Sequence, residues 1–581
     1  MPPGEVMANQ TATTIGPYVG STDIAYFTME IALRPEMHTY SGGLGVLAGD
    51  TARSCADLEL PIVFVTLIHR QGYLRQEING NGDQIEHPDP WTPEDFATPL
   101  RAKVACLIEG REVWVRPWLH VLASGPGLDV PVLLLDTDLH ENAPEDRRIT
   151  DTLYGGDQTY RFKQEIVLGI GGLRILQALG FDIRRYHMNE GHAALLALDL
   201  LRRHPRPLDE VLPGQLRYNV GPVRERCVFT THTPVDAGHD RFPYSMMEHL
   251  LQGYIDTEQV KIIAGENELN MTRLALNLSD FVNGVASRHA ETTTRMFPGY
   301  KIRAISNGVH LPTWAHESFR LLFTDHFPAW AHEPEAMVRL DQLPDDGVWQ
   351  AHTTAKSDLV LLVKERTGIE LDPGVPTLGF ARRMTAYKRP DLLFTDLDQL
   401  LQINSRHPFQ LVMAGKSHPN DGSGKFLIRR IHDHIGELRH HMRIAFLPNY
   451  DMELAETLVA GADVWLNTPE PPLEASGTSG MKAALNGVLN LSVLDGWWVE
   501  AAIEGVTGWS IGQDGGHNGA PGQARANAQD LYQKLESVVL PLYYHDRGRW
   551  IWMMKQSISK IAGYFNTQRM MRRYAAEAYL R

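Results

Sequence analysis

Cysteine is scarce: Cys55, Cys106 and Cys227 are the three in 581 residues. Their wide spacing and odd number exclude a disulfide framework and a thiolate zinc site, and suggest a reducing, cytoplasmic setting. Long apolar runs are missing. Segments 61–68 and 130–135 are strand-length, far short of the ~18 to 20 residues of a membrane helix. The first twenty residues lack an apolar signal core with basic residues ahead of it, so secretion is not expected. Excess positive charge is lacking too. The formal net charge of -15 disfavours nucleic acid or an anionic membrane as partner, yet leaves room for local basic clusters that hold small anions. There is no Walker sequence, nucleophile-elbow serine, Cys-x-x-Cys or zinc-type histidine pair, and no metal is expected. His432, His434, His440 and His441 fall in a polar helical stretch and read as exposed.

What is present has ordinary globular proportions, 43% hydrophobic and 22% charged, in a chain longer than one core usually organises. Apolar runs alternate with amphipathic stretches, as in strand 24–27, helix 44–58 and strand 62–68. This βαβ pattern implies a parallel sheet covered by helices. It restarts with strands at 377–381, 409–414, 443–447, 464–467 and 490–494, and helices at 389–403, 452–461 and 481–487. The expected fold is α/β, with two Rossmann-like domains facing across a cleft. Asn307-Gly308 and Leu311-Pro312 interrupt regular structure after a strand at 302–305. The boundary is therefore placed to give domains 1–310 and 311–548, with C-terminal helices in 549–581 packing back on the first. Segments 526–543 and 549–564 have helical spacing, and 512–521 reads as a surface loop.

Three segments have the composition of anion sites. Ser41-Gly42-Gly43-Leu44-Gly45 opens a helix shortly after a strand, where unpaired N–H groups favour a phosphate; glycines there also serve tight packing alone. Glu474-Ala475-Ser476-Gly477-Thr478-Ser479-Gly480-Met481-Lys482 places a lysine beside small residues at another helix start. That suits pyridoxal phosphate, whose aldehyde takes a lysine amine while its phosphate needs separate anchoring; a capped helix bearing a solvated lysine fits the same spacing. Arg382-Arg383-Met384-Thr385-Ala386-Tyr387-Lys388-Arg389 follows a buried-type strand at its carboxyl end, where open α/β sheets bind ligands. Asn189-Glu190-Gly191-His192, Thr231-His232-Thr233 and Asn307-Gly308-Val309-His310 each follow a strand-like run and offer polar groups to a sugar. A lone histidine in such a turn is more often structural.

Together these segments resemble the α-glucan phosphorylases, the glycogen, starch and maltodextrin enzymes. The similarity runs from about 20 to about 500 in family order through Ala25 to Glu30, Gly42 to Gly45, Leu153 to Asp157, Arg161 to Glu165, Thr231 to Thr233, Arg383 to Arg389, and Glu474 to Lys482 with Asp495-Gly496. The resemblance implies a glycosyltransferase of the B-type fold that uses inorganic phosphate to release α-glucose 1-phosphate from an α-1,4-glucan with retained configuration. It implies pyridoxal 5'-phosphate, with Lys482 carrying the imine and Arg382, Thr478, Ser479 and Gly43 holding the cofactor phosphate. Arg383, Lys388, Gly42 and Gly43 would bind substrate phosphate. His232, Asn307, Glu474, Ser476 and Gly477 would grip the glucosyl unit, and Asp157 and Gln158 belong to its access loop. Lys482, Arg383, Lys388, His232 and Glu474 are the catalytic set so implied. A homodimer is a family expectation.

The chain departs from the longer animal and plant enzymes. It is considerably shorter, so their N-terminal regulatory segment is not expected; Ser479-Gly480 stands for Gly-Asn, and Glu190-Gly191 for Asp-Thr. These changes resemble short prokaryotic members and put inherited allosteric control in doubt. Two alternatives share the cleft and basic cluster. A sugar-nucleotide-dependent glucan synthase-like transferase would not need Lys482 as an imine. A catalytically silent glucan-binding protein would bind glucan without phosphorolysis.

Overall fold

The structure, a computed structural model, describes residues 14–124, 127–512 and 522–580. The loop expected at 512–521 lies, but for Gly512, outside them. The first sheet runs Arg303–Ala304, Phe281–Gly284, Cys227–Thr230, Arg185–Asn189, Ile24–Thr28, Ile62–Leu67 and Val130–Asp136 in parallel order, and ends in antiparallel Arg111–Leu122 and Thr98–Pro99. Ala25 pairs with Val63 and with Tyr186 on its two sides. Ile24–Thr28 and Ile62–Leu67 are buried throughout, which is why they read as continuous apolar runs rather than alternating ones. Separate clusters of buried side chains flank this sheet on its two faces.

The second sheet is wholly parallel, in the order Ile444–Leu447, Gln410–Ala414, Thr377–Ala381, Val464–Asn467, Leu489–Val493, Gly508–Ile511. The chain starts it at Thr377–Ala381, builds outward on one side, then returns to build on the other. Its order therefore reverses between Thr377–Ala381 and Val464–Asn467, the place where an open α/β sheet leaves a crevice for ligand. Both strands feed the segments singled out above: Arg382 follows the first, and the second leads to helix Ser479–Leu485.

Three expectations need correction. The helix at 389–403 is a short turn, Leu392–Phe394, followed by helix Leu397–Arg406. Asp396 caps that helix by accepting from Gln399 N at 3.0 Å, and Pro390 and this cap set a later start. His432 and His434 are half-buried rather than exposed: the first packs on Phe446 at 4.7 Å, the second stacks on Phe394 at 5.2 Å. The antiparallel excursion between 75 and 122 was not anticipated. It includes the hairpin Arg75–Ile78 with Gln84–His87, whose strands are short and largely polar.

Past the second sheet, helices Gln523–Lys534, Leu540–His545 and Arg547–Ser557 cover it. Helix Thr567–Tyr574 then reaches the first sheet. Thr567 Oγ1 meets Ser54 Oγ at 2.6 Å on helix Gly43–Asp57, and Tyr574 Oη meets Asn283 Nδ2 at 2.8 Å. Among the described residues no helix is long and apolar enough to cross a membrane.

Candidate active site

Lys482 lies in helix Ser479–Leu485 and is buried. Its Nζ rests 3.6 Å from the centroid of the Trp314 ring, and among the described residues no carboxylate comes within ion-pair distance of it. Asn486 fixes this pairing by donating through Nδ2 to the carbonyls of both Trp314 and Lys482, at 2.8 and 2.9 Å. Trp314 in turn donates from its indole to Asp50 Oδ2 at 2.8 Å. Burial pushes the Lys482 amine down to about 8, against the pull of Asp50 and Glu456, so a useful fraction is the free nucleophile near neutral pH.

Above this helix start, Glu474 joins two members of the basic run. Its carboxylate accepts from Arg382 Nη2 at 2.6 Å and from Lys388 Nζ at 2.6 Å to each oxygen. Burial alone would raise the Glu474 carboxyl, but the two cations outweigh it and hold it down to about 2. Three residues assigned from sequence to different ligands are thus mutually paired here. Asp495 Oδ2 accepts from Glu474 N at 2.8 Å, and burial pushes this second carboxyl up to about 7. The pair is one ionised and one largely protonated acid at slightly acid pH, which avoids burying two like charges. Arg383 points elsewhere, toward Tyr387, Tyr73 and Tyr154, and keeps solvent access.

The glycine turn sits at the start of helix Gly43–Asp57. Ser41 N and Gly42 N donate to Glu30 Oε2 at 2.6 and 3.2 Å, so a carboxyl group already takes two of the donors expected to receive phosphate. A Cβ at Gly42 or Gly43 would meet nothing; the turn faces open space. Tyr154 Oη donates to Glu30 Oε1 at 2.9 Å. His232 Nε2 donates to Asn189 Oδ1 at 2.6 Å, and its backbone N donates to Glu190 Oε2 at 2.7 Å. Burial drives His232 down to about 3, which leaves a neutral imidazole with a defined tautomer. Asn189 Nδ2 also reaches Thr28 Oγ1 at 3.1 Å, which donates to the Glu30 carbonyl. His232 and the glycine turn therefore share one scaffold.

Asn307 and Ser476 are buried, with Asn307 Oδ1 and Ser476 Oγ unpartnered, as are Arg382 Nε and Nη1. Gly477 adopts φ +88, a left-handed conformation that favours glycine. Thr478 precedes the helix without capping it. Ser479 Oγ accepts from Trp465 Nε1 at 3.1 Å, leaving mainly its backbone for a ligand. Asp157 and Gln158 are exposed, Asp157 capping helix Gln158–Ile166 through Tyr160 N at 2.9 Å. A buried reactive amine, unpartnered donors on Arg382 and open space at Gly42 and Gly43 suit a group carrying an aldehyde and a phosphate. Glu30, Asp50, Tyr154, Trp314 and Asp495 were missed as site residues. Asp50 leaves a trace in sequence, an acid that follows the apolar or small run 43–49 at the start of its helix; Trp314 leaves none, since only the fold brings it to Lys482.

A parallel sheet whose strand order reverses next to a cluster of cations, with a buried lysine in the helix that follows, has the architecture of a two-lobed α/β enzyme that binds anionic ligands. The sequence profile described as carbohydrate phosphorylase matches residues 235–507. The chain is 38% identical to a maltodextrin phosphorylase of Thermococcus litoralis over 96% of its own length and 70% of that protein. It is 37% identical to a glycogen phosphorylase of Mycobacterium tuberculosis, covering 96% and 71%. With a glycogen phosphorylase of Aquifex aeolicus the identity is 35%, covering 96% and 86%. The chain belongs to the carbohydrate phosphorylase family. Its two sheets accordingly form the glycosyltransferase B-type fold.

Proposed function

We propose that the chain works as a pyridoxal-phosphate-dependent α-glucan phosphorylase in the cytoplasm, releasing the terminal α-1,4-linked glucose of glycogen, starch or maltodextrin as α-glucose 1-phosphate. The observation that carries the reading is Lys482: a buried amine over Trp314, lowered to about 8, in the helix that follows Glu474 in the chain. When bound, the cofactor supplies a phosphate group that passes a proton to and from inorganic phosphate.

Lys482 would hold the cofactor through its amine, and Arg382, Thr478, the Ser479 backbone and Gly43 would hold its phosphate. Arg383 and Lys388, with the Gly42-Gly43 turn, hold inorganic phosphate, whose second ionisation lies close to neutrality and suits proton transfer there. Their cations keep that phosphate where its proton reaches the glycosidic oxygen. The resulting anion stabilises the glucosyl cation on the face just vacated, and bond formation there retains configuration without a flanking carboxylate pair. Neutral His232, its Nε2–H held by Asn189, accepts from a sugar hydroxyl at Nδ1 without adding charge. Asn307, Ser476, Gly477 and Glu474 complete the sugar pocket, and Asp157 and Gln158 flank the entry. Glu474 changes partner in this scheme: as the phosphates take Arg382 and Lys388, its carboxylate is released toward the sugar.

The test is release of glucose 1-phosphate from maltodextrin and inorganic phosphate, with protein saturated in pyridoxal phosphate beside a cofactor-free control. Cofactor-dependent product is expected. Bound cofactor without product would favour a silent glucan-binding protein.

A further inference from the structure

Glu30 closes the segment 25–30, which the scheme above leaves without a role. It is 2% exposed. Its Oε2 accepts from Ser41 N at 2.6 Å, Ser41 Oγ at 3.1 Å and Gly42 N at 3.2 Å, and its Oε1 accepts from Tyr154 Oη at 2.9 Å. The carboxyl packs close against the turn: a Cβ at Gly45 would stand 2.7 Å from Oε2 and 2.6 Å from Tyr40 Cβ. A Cβ at Gly42 or Gly43 would meet nothing within 4 Å, so the turn is open at these two positions. The other titratable groups near it are few. Tyr154 carries Arg161 on its ring face at 4.5 Å; Arg161 is paired with Asp240 at 3.0 Å; Tyr73 feels both Glu30 and Arg383; and Tyr40 lies beyond Gly45.

We propose that Glu30 is a positioning and specificity-determining residue for phosphate: it fixes the turn whose remaining N–H groups receive inorganic phosphate, and its charge sets how readily that turn accepts the dianion. The proposal rests on the phosphorolytic reading above. Ionised, Glu30 places a negative charge directly behind the anion site in a buried setting where screening is weak; protonated, it keeps the same turn without repulsion. Burial raises its carboxyl while Ser41, Tyr154 and Gly42 pull the other way, so Glu30 takes up its charge at higher pH than an ordinary glutamate does.

The experiment is calorimetric binding of inorganic phosphate to cofactor-loaded wild type and Glu30→Gln, from about pH 5.5 to about pH 8. The glutamine amide oxygen accepts from the turn without carrying charge. The two Kd values should converge toward the acid end of the range, and at about pH 8 the variant should bind about three- to tenfold more tightly. A ratio that stays constant across the range is what a merely structural role gives, and it overturns the proposal. Tyr154→Phe is the second arm, removing one donor to the carboxylate while keeping the ring under Arg161. It should displace the weakening of phosphate binding to higher pH, and a profile identical to wild type overturns the proposal even where Glu30→Gln does not fold. Glucose 1-phosphate formation, followed separately, reports on the phosphorylase reading, so the two ideas fail by different readouts.

Discussion

Lys482 faces the Trp314 ring at 3.6 Å, a buried ammonium balanced by an aromatic face instead of a carboxylate. An amine so placed is costly to keep charged. The folded protein holds it at about 8 against an ordinary 10.5, so between those values the unfolded chain binds more protons and wild-type stability rises with pH. Lys482→Met in the cofactor-free protein should therefore be more stable than wild type by about 1–3 kcal/mol below about pH 8, part of the cost being offset by the ring. The advantage should be gone above about pH 10.5. Urea midpoints of both proteins at neutral and alkaline pH check this. The same variant should show no imine absorbance with pyridoxal phosphate, and a retained signal would remove Lys482 from its assigned place.

Glu474 is held by Arg382 and Lys388, so in the proposed scheme phosphate competes with it for those cations. Glu474→Gln should bind inorganic phosphate more tightly, about tenfold, while kcat falls about a hundredfold because the sugar loses its acidic partner. Stability follows the opposite charge logic. A carboxyl lowered to about 2 from 4.5 stabilises the fold above its ordinary value, and the contribution is lost as pH falls through that window. Melting between about pH 5 and pH 2.5 should thus drop less steeply in the variant. Weaker phosphate binding in the variant would show that Glu474 does not compete.

Much of this was legible before any coordinates. Strands 377–381 and 464–467 coincide with Thr377–Ala381 and Val464–Asn467 because burial on both faces forces continuous apolar runs, and helix 452–461 coincides with Met452–Gly461, opened by the Asp451 cap. The glycine turn and Lys482 stood out because few arrangements place small residues at a helix start. What sequence does not carry is which charge meets which. Glu474 with Arg382, Glu30 with Gly42, and Asp50 with Trp314 are pairings made by the fold, and the half-polar hairpin at 75–87 has no pattern strong enough to announce it.

Asn189 orients His232 through Oδ1 at 2.6 Å. Asn189→Ala frees the imidazole to rotate and should lower kcat/KM for maltodextrin about ten- to hundredfold with the phosphate KM little changed. Asn189→Asp should act differently. A carboxylate partner favours the imidazolium and raises His232 from about 3, so the variant's kcat/KM should acquire a new ionisation on the acid side that wild type lacks. A glucan profile with the same shape in all three proteins would exclude His232 from contact with the sugar.

Gly308 lets the chain crossing between the lobes approach the C-terminal segment. A Cβ there would lie 2.2 Å from the Asn566 carbonyl carbon and 2.4 Å from its oxygen, atoms that no rotamer change can move aside. On either side, Val309 N donates to Phe565 O and Thr567 N donates to Val309 O, each at 3.0 Å, and Arg569 Nη2 donates to the Ser306 carbonyl at 2.8 Å. Gly308→Ala must separate these strands of chain, at a cost of about 1–3 kcal/mol. It should melt lower than wild type, expose the region of helix Thr567–Tyr574 to limited proteolysis, and raise the glucan KM because neighbouring Asn307 shifts. Gly16→Ala is the control, since a Cβ there meets nothing within 4 Å and should leave all three readouts in place. If Gly308→Ala matches that control, the close approach is softer than its geometry implies and the C-terminal helix is not what holds Asn307 toward the sugar.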